Sequence, residues 1–442
     1  MTIPHSALVE IRPVPFPYRA TLTIANDIDG MDPGAFRAMH NLFTGSREGE
    51  FGLEIGNSFW MYDVGTRERA FAYFKTLGPE ESDEAPMIRD LAVCGFLDSL
   101  HSYGNFLGVG DFHRGLAEQA IERLEKDGIK IKVWINHGGA PKGQRRLTAR
   151  GTMHHSIGRV YNSLGDFPGS VAYHADLLMR YGIRYMWDGL CWEIMGQERR
   201  AGLWEAFASP RGSVRPQSVI RRGVKGVLAL AKTSSLLPSS VATALPYHHT
   251  FSGDNHLLKI ATLRDGQALY EFRRYGAFSR DRPTDLSNLI KPARLDYLCR
   301  VGGQMLVYNH LGKGATSANP LPATALVAMR DLARRQAEGK LLVSTLSRLL
   351  SFNRMSRTLD WRYEKEAGGI RIEITQLLDP VFGPEEVTVE SLCGLAFLVA
   401  SGTPAQCYLR GKPFAMRREP DTVRQGMDAL YLPWQRLQSV RI

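Results

Sequence analysis

From residue 18 to about residue 315, short apolar, β-rich runs alternate with amphipathic runs of helical period. A chain patterned this way folds as a mainly parallel sheet or barrel wrapped by helices. Residues 18–29 (YRATLTIANDID) form an apolar run that ends in acids. Residues 33–42 read as a helix with Asp32 as N-cap and Pro33 in the first turn. Residues 112–127 have helical periodicity and stop at Gly128. Residues 129–136 (IKIKVWIN) alternate as a strand. Residues 174–181 read as a helix stopped by Gly182, and 183–187 (IRYMW) as the next strand. Residues 258–275 read as a hairpin around Asp265-Gly266, 291–301 as a helix and 304–309 (QMLVYN) as a strand.

Two stretches break the rhythm. Residues 196–247 are basic and rich in Ser, Gly and Pro, which marks an insertion. Within it, residues 219–230 suit a basic amphipathic helix. The favoured reading is a helix packed on the main domain; the other is contact with an anionic membrane surface or polyanion through residues 210–240. Beyond residue 341 the pattern turns to short β-like segments separated by turn residues, as in a small antiparallel sandwich. The chain has 442 residues, more than one ordinary core. It therefore divides into residues 1–335, carrying the barrel, and residues 336–442, carrying the β module.

Charge and cysteine content narrow the function classes. A formal net charge of +10 favours acidic partners, but no nucleic-acid motif accompanies it, so no specific nucleic acid is expected. The five cysteines are scattered with no CxxC pair, which points to free thiols rather than disulfides or a cysteine-based zinc site. There is no apolar signal-peptide core near the N-terminus and no apolar run of about 18 residues. A cytoplasmic protein, at most peripheral at the membrane, is expected.

In parallel α/β folds, ligand sites lie at the C-terminal ends of the strands. The polar residues that follow strand-like runs are Asp27 and Asp29, His137, Asp188 and His310. Asp27 and Asp29 are two apart and share one face of an extended chain. Such carboxylates repel unless a cation or proton lies between them; a solvated turn is the alternative. His101 and Asn105, in HSYGN, are four apart, so one helical turn would bring them together; a helix N-terminus capped by Ser102 is the alternative. Imidazole, carboxylate and amide oxygen can together hold zinc or a similar ion. His137 precedes Gly138-Gly139, which permits close approach of a ligand. His174 opens a helix and is a weaker candidate. Trp187 can stack on a sugar ring, and Asp188 can orient a histidine. The pairs His154-His155 and His248-His249 read as structural or solvated.

A strand ending in Asn26-Asp27-Ile28-Asp29-Gly30, then His101-Ser102-Tyr103-Gly104-Asn105, then Leu306-Val307-Tyr308-Asn309-His310, resembles the motif order of the NodB-homology polysaccharide deacetylases. The resemblance spans roughly residues 18–315. It implies a deacetylase-type irregular (β/α) barrel; with the small C-terminal antiparallel β domain read from the pattern, the fold class is α/β. The resemblance also implies metal-dependent removal of an N-acyl group, typically acetyl, from an amino sugar, glycan precursor or glycan. Carried across, Asp29 and His101 bind a divalent metal, zinc first among the candidates, and Asn105 takes the third position. Asp27 is the base and His310 the acid; His137, Trp187, Asp188 and His174 are the substrate-binding candidates from the residues themselves. The spaced acids allow Asp27 and Asp29 to exchange roles. Adjacent Asp-Asp, a second metal-binding His after His101 and an Arg-x-Pro-Tyr motif are absent. Two other functions stay open: a non-catalytic glycan-binding or assembly protein on a decayed barrel, and a glycoside hydrolase using paired carboxylates.

Overall fold

The computed structural model describes residues 8–65, 72–106, 112–137, 164–197, 255–278 and 280–442. The basic insertion from residue 198 on lies outside the described residues, as do its expected helix at 219–230, Gly138-Gly139, His154-His155 and His248-His249.

Seven parallel strands close into a barrel: β1 (Ala20–Asn26), β2 (Gly56–Tyr62), β3 (Leu97–His101), β4 (Val133–Ile135), β5 (Tyr185–Cys191), β6 (Ala268–Tyr275) and β7 (Gln304–Asn309). Closure is made where Ala25 and Asn26 of β1 pair with Gly56 and Asn57 of β2. The Asn26 amide donates to Asn57 Oδ1 at 2.7 Å across that seam. On the same edge of β1, its first residues pair in parallel with the short strand Leu341–Val343.

Alternation along each strand decides which residues enter the barrel. In β1, Ala20, Leu22 and Ile24 join the large core shared with the helices, while Ala25 joins a second core with Val133, Ile135, Tyr185, Trp187, Phe272 and Leu306. Counting on by two, the inward row of β1 leads to Asp27, that of β4 to His137 and that of β7 to His310.

Eight α-helices are present among the described residues. The first, α1 (Pro33–Thr44), starts as expected: Asp32 accepts from the Ala35 N–H at 3.0 Å, and Pro33 opens the first turn. Next come α2 (Ala85–Val93), α3 (Arg114–Lys126) and α4 (Ala175–Tyr181), the last stopped by Gly182 at φ 115°. Then follow α5 (Pro283–Leu289), α6 (Pro292–Val301), α7 (Ala323–Ala337) and α8 (Leu346–Thr358). No helix among the described residues is long and apolar enough to cross a membrane.

Several expected elements differ in detail. The strand expected at 129–136 is reduced to Val133–Ile135. The preceding residues bond elsewhere: Ile129 N–H to Leu124 O, and Ile129 O to the Tyr181 hydroxyl. The 258–275 hairpin forms, with Lys259–Thr262 antiparallel to β6, and its second strand is also a barrel member. The C-terminal module comprises a four-stranded and a five-stranded sheet. It is antiparallel except that Ala405–Leu409 runs parallel to Gly369–Asp379. The division at 335/336 is crossed at both ends of the chain. Val9–Ile11 pairs with residues 397–399 of the module, and Leu341–Val343 belongs to the barrel sheet. Helix α8 joins the two parts: Leu346 and Leu350 pack in the barrel interior, Phe352 and Met355 in the module core.

Candidate metal centre and acid–base groups

At the C-terminal mouth of the barrel, Asp29, His101 and His137 offer ligand atoms that all lie within 4.8 Å of one another. His101 Nδ1 is 3.3 Å from Asp29 Oδ1, and His137 Nε2 is 3.2 Å from Asp29 Oδ2. The local fold explains the pairing of the two imidazoles. His101 ends β3 opposite Ile135, and Ser102 then turns at φ 49°. The Ser102 hydroxyl accepts from the His137 N–H at 2.9 Å and donates to Ile135 O at 3.3 Å. The rings of His101 and His137 stand 4.6 Å apart, nearly perpendicular.

Asp27 lies on the other side of this group. Its Oδ1 accepts from Arg274 at 2.8 Å and from the Ser58 hydroxyl at 3.3 Å, and it is 3.9 Å from His101 Nδ1. The buried Arg274 guanidinium lies over the rings of Trp187 and Tyr308, at 4.2 and 4.5 Å. His310 faces the cluster with Nε2 3.5 Å from Asp29 Oδ2. Its Nδ1 is 3.0 Å from Asp281, which also pairs with Lys313 at 2.8 Å.

These contacts divide the charges. Burial alone would raise the Asp29 carboxyl, but His101 and His137, with hydrogen bonds from His137 and His310, hold it well below the ordinary carboxylate range. Burial likewise opposes ionisation of Asp27; Arg274 first, then His101, outweigh it and lower its pKa. Burial pushes His101 down to about 4 against the pull of both acids. His310 goes the other way: burial is overcome by the hydrogen bonds of Asp281 and Asp29, and its pKa rises to about 9. The surroundings thus favour Asp27 and Asp29 as carboxylates and His310 as an imidazolium.

The donor set suits a divalent cation. Asp29 Oδ1 is buried and has no hydrogen-bond donor aligned on it, which leaves a carboxylate oxygen that an ion would satisfy. Asp29, His101 and His137 would hold it.

Five sequence expectations change here. His137, expected as a substrate contact, stands among the ligand atoms. Asn105 is buried, but the expected helical turn linking it to His101 does not form, because His101 is held in the sheet and Ser102 reverses the chain. Trp187 is buried beneath Arg274 instead of presenting a face for stacking. Asp188 lies inside β5, at the register shift between Trp187 and Gly189. It pairs with Arg273 at 2.9 Å. His174 does open α4, but its ring is fully buried among Tyr103, Phe112 and Trp134.

Three members of the site lay outside the sequence reading. Arg274 was legible in the alternation Tyr270, Phe272, Arg274 of a strand buried on both faces. Ser58 carried no distinguishing signal. Nor did Asp281, which sits in a loop docked on β7 through Asp281 O and the His310 N–H.

No protein-family model matches the chain, and no curated protein matches its sequence.

Proposed function

We propose that the protein is a metal-dependent hydrolase that removes an N-acyl group, acetyl first, from an amino sugar, glycan precursor or glycan. The observation that carries the reading is the convergence of three devices at one barrel mouth. They are the Asp29–His101–His137 ligand cluster, the Asp27–Arg274 pair and the His310–Asp281 pair. Their order along the chain also matches the resemblance to the NodB-homology deacetylases.

A divalent cation bound there supplies positive charge that polarises an amide carbonyl and makes water more acidic. Asp27 is excluded from the ligand cluster and held as a carboxylate by Arg274, so it serves as the base that receives a proton from the attacking water. Ser58 bridges Asp27 and His101 and fixes their separation. His310, kept protonated by Asp281, gives its Nε2 proton to the departing amine. An acid and a base beside one ligand cluster suit amide cleavage, whose leaving nitrogen needs a proton. The Arg274 contact supports Asp27 as the base, and the His137 ligand atom supports a catalytic barrel over a decayed, non-catalytic one.

Purified protein supplied with zinc, cobalt or nickel should release acetate from a panel of N-acetylated sugars and oligosaccharides. Asp27→Asn and His101→Ala should abolish that release. Undiminished turnover in both variants, or no turnover with any metal across the panel, overturns the assignment.

A further inference from the structure

The aromatic groups at the barrel mouth divide into two kinds. Trp187 and Tyr308 are buried and carry Arg274. Phe278, on the loop that follows β6, is 56% exposed. Its ring stands edge-on to both, 6.2 Å from Trp187 and 5.9 Å from Tyr308, and Tyr308 in turn contacts His310 at 5.2 Å. An exposed phenylalanine is ordinary by itself. This one is braced. Its loop is tied to β5 by the Gly276 N–H to Cys191 O at 2.9 Å. It is tied to β7 by the Asn309 amide to Arg282 O at 3.0 Å and by the His310 N–H to Asp281 O. The segment that holds Asp281 against His310 therefore also holds an open aromatic face beside it.

We propose that Phe278 is the stacking platform for the sugar ring of the substrate and sets its preference for pyranosides; this rests on the hydrolase reading above. A phenyl ring has no hydrogen-bonding group, so its partner must offer a flat apolar face. The axial C–H face of a pyranose does so, with hydroxyls around its rim left free for water and the charged groups beneath. Phe278 lies two ring contacts from His310, through Tyr308. The role the sequence suggested for Trp187 thereby passes to a residue whose face is open.

The test uses the full-length, zinc-loaded protein and an N-acetylglucosamine trimer, with binding measured by titration calorimetry. Phe278→Ala and Phe278→Leu should each weaken the trimer by about tenfold or more, a loss of roughly 1.4 kcal/mol. Phe278→Tyr should stay within about threefold of wild type. Loss in Phe278→Leu, which keeps an apolar side chain, separates ring stacking from general apolar contact. The proposal falls if Phe278→Ala or Phe278→Leu binds as tightly as wild type. It also falls if wild type binds decanoate but not the trimer, since an acyl chain is then the occupant. Phe278-dependent trimer binding with no acetate release under any metal overturns the hydrolase reading alone. Acetate release with Phe278-independent binding overturns the platform alone.

Discussion

At the scale of single residues, the ligand set can be decided by counting metal. Zinc-reconstituted protein should carry one ion per chain, and Asp29→Ala and His137→Ala should carry close to none. Asn105→Ala should keep its ion, because Asp29, His101 and His137 already supply three ligand atoms. Elemental analysis after gel filtration reads all three; loss in Asn105→Ala with retention in His137→Ala returns the third ligand to the loop after β3. The acid is tested by rate. His310→Ala should lower kcat by about 10²–10⁴-fold with metal content unchanged. Asp281→Asn should lower it less, since the ring stays but loses the carboxylate that keeps it charged. Equal rates in all three proteins would exclude His310 as the proton donor.

At the scale of elements, α8 begins without a cap from its own Thr345, and Asp98 of β3 accepts from the Ser347 N–H at 2.7 Å. The Ser99 hydroxyl adds a second donor at 3.0 Å. Burial nonetheless dominates and raises the Asp98 carboxyl to about 6. A carboxyl raised on folding binds its proton more tightly in the native state. Its contribution is therefore full below the unfolded pKa, near 4, and is lost as pH rises through about 6. The rise corresponds to about 3 kcal/mol. In Asp98→Asn, the fall in unfolding free energy between pH 4 and 6 should shrink by roughly that amount, measured by urea titration at each pH. Parallel pH profiles for the two proteins would show that Asp98 does not titrate in this range on folding.

At the scale of the whole molecule, the chain returns to the barrel after completing the module. Leu437 N–H donates to Glu54 Oε1 at 2.7 Å, Val440 O meets His40 Nε2 at 2.8 Å, and Asn41 donates to Ile442 O at 3.0 Å. Leu437 and Ile442 pack against the main core. Glu54 also takes Arg348 and the Ser344 hydroxyl, so one buried carboxylate ties the barrel, α8 and the tail together. Glu54→Ala should cost about 2–4 kcal/mol, because Arg348 loses its counter-charge in a mostly buried setting. Deleting residues 435–442 should cost about as much through lost apolar burial and unpaired acceptors. Thermal unfolding reads both, and an unchanged midpoint in either would show that the tail does not brace the barrel.

What the sequence could decide was local and periodic. The alternation of strand and helix signals set a mainly parallel sheet or barrel, Asp32 and Pro33 set the start of α1, and Gly182 set the end of α4. The period-two row of each strand carried Asp27, His137 and His310 to one end, because side-chain direction in a strand depends only on counting residues. Tertiary structure decided who meets whom. The register of β3 against β4, with the Ser102 turn, put His137 beside His101 and Asp29. The register shift in β5 turned Asp188 to Arg273, and the packing of α4 enclosed His174. Asp281 and Arg274 entered the site through contacts spanning many residues of chain. Pairings of that kind depend on strand register and loop docking, which no short stretch of residues encodes.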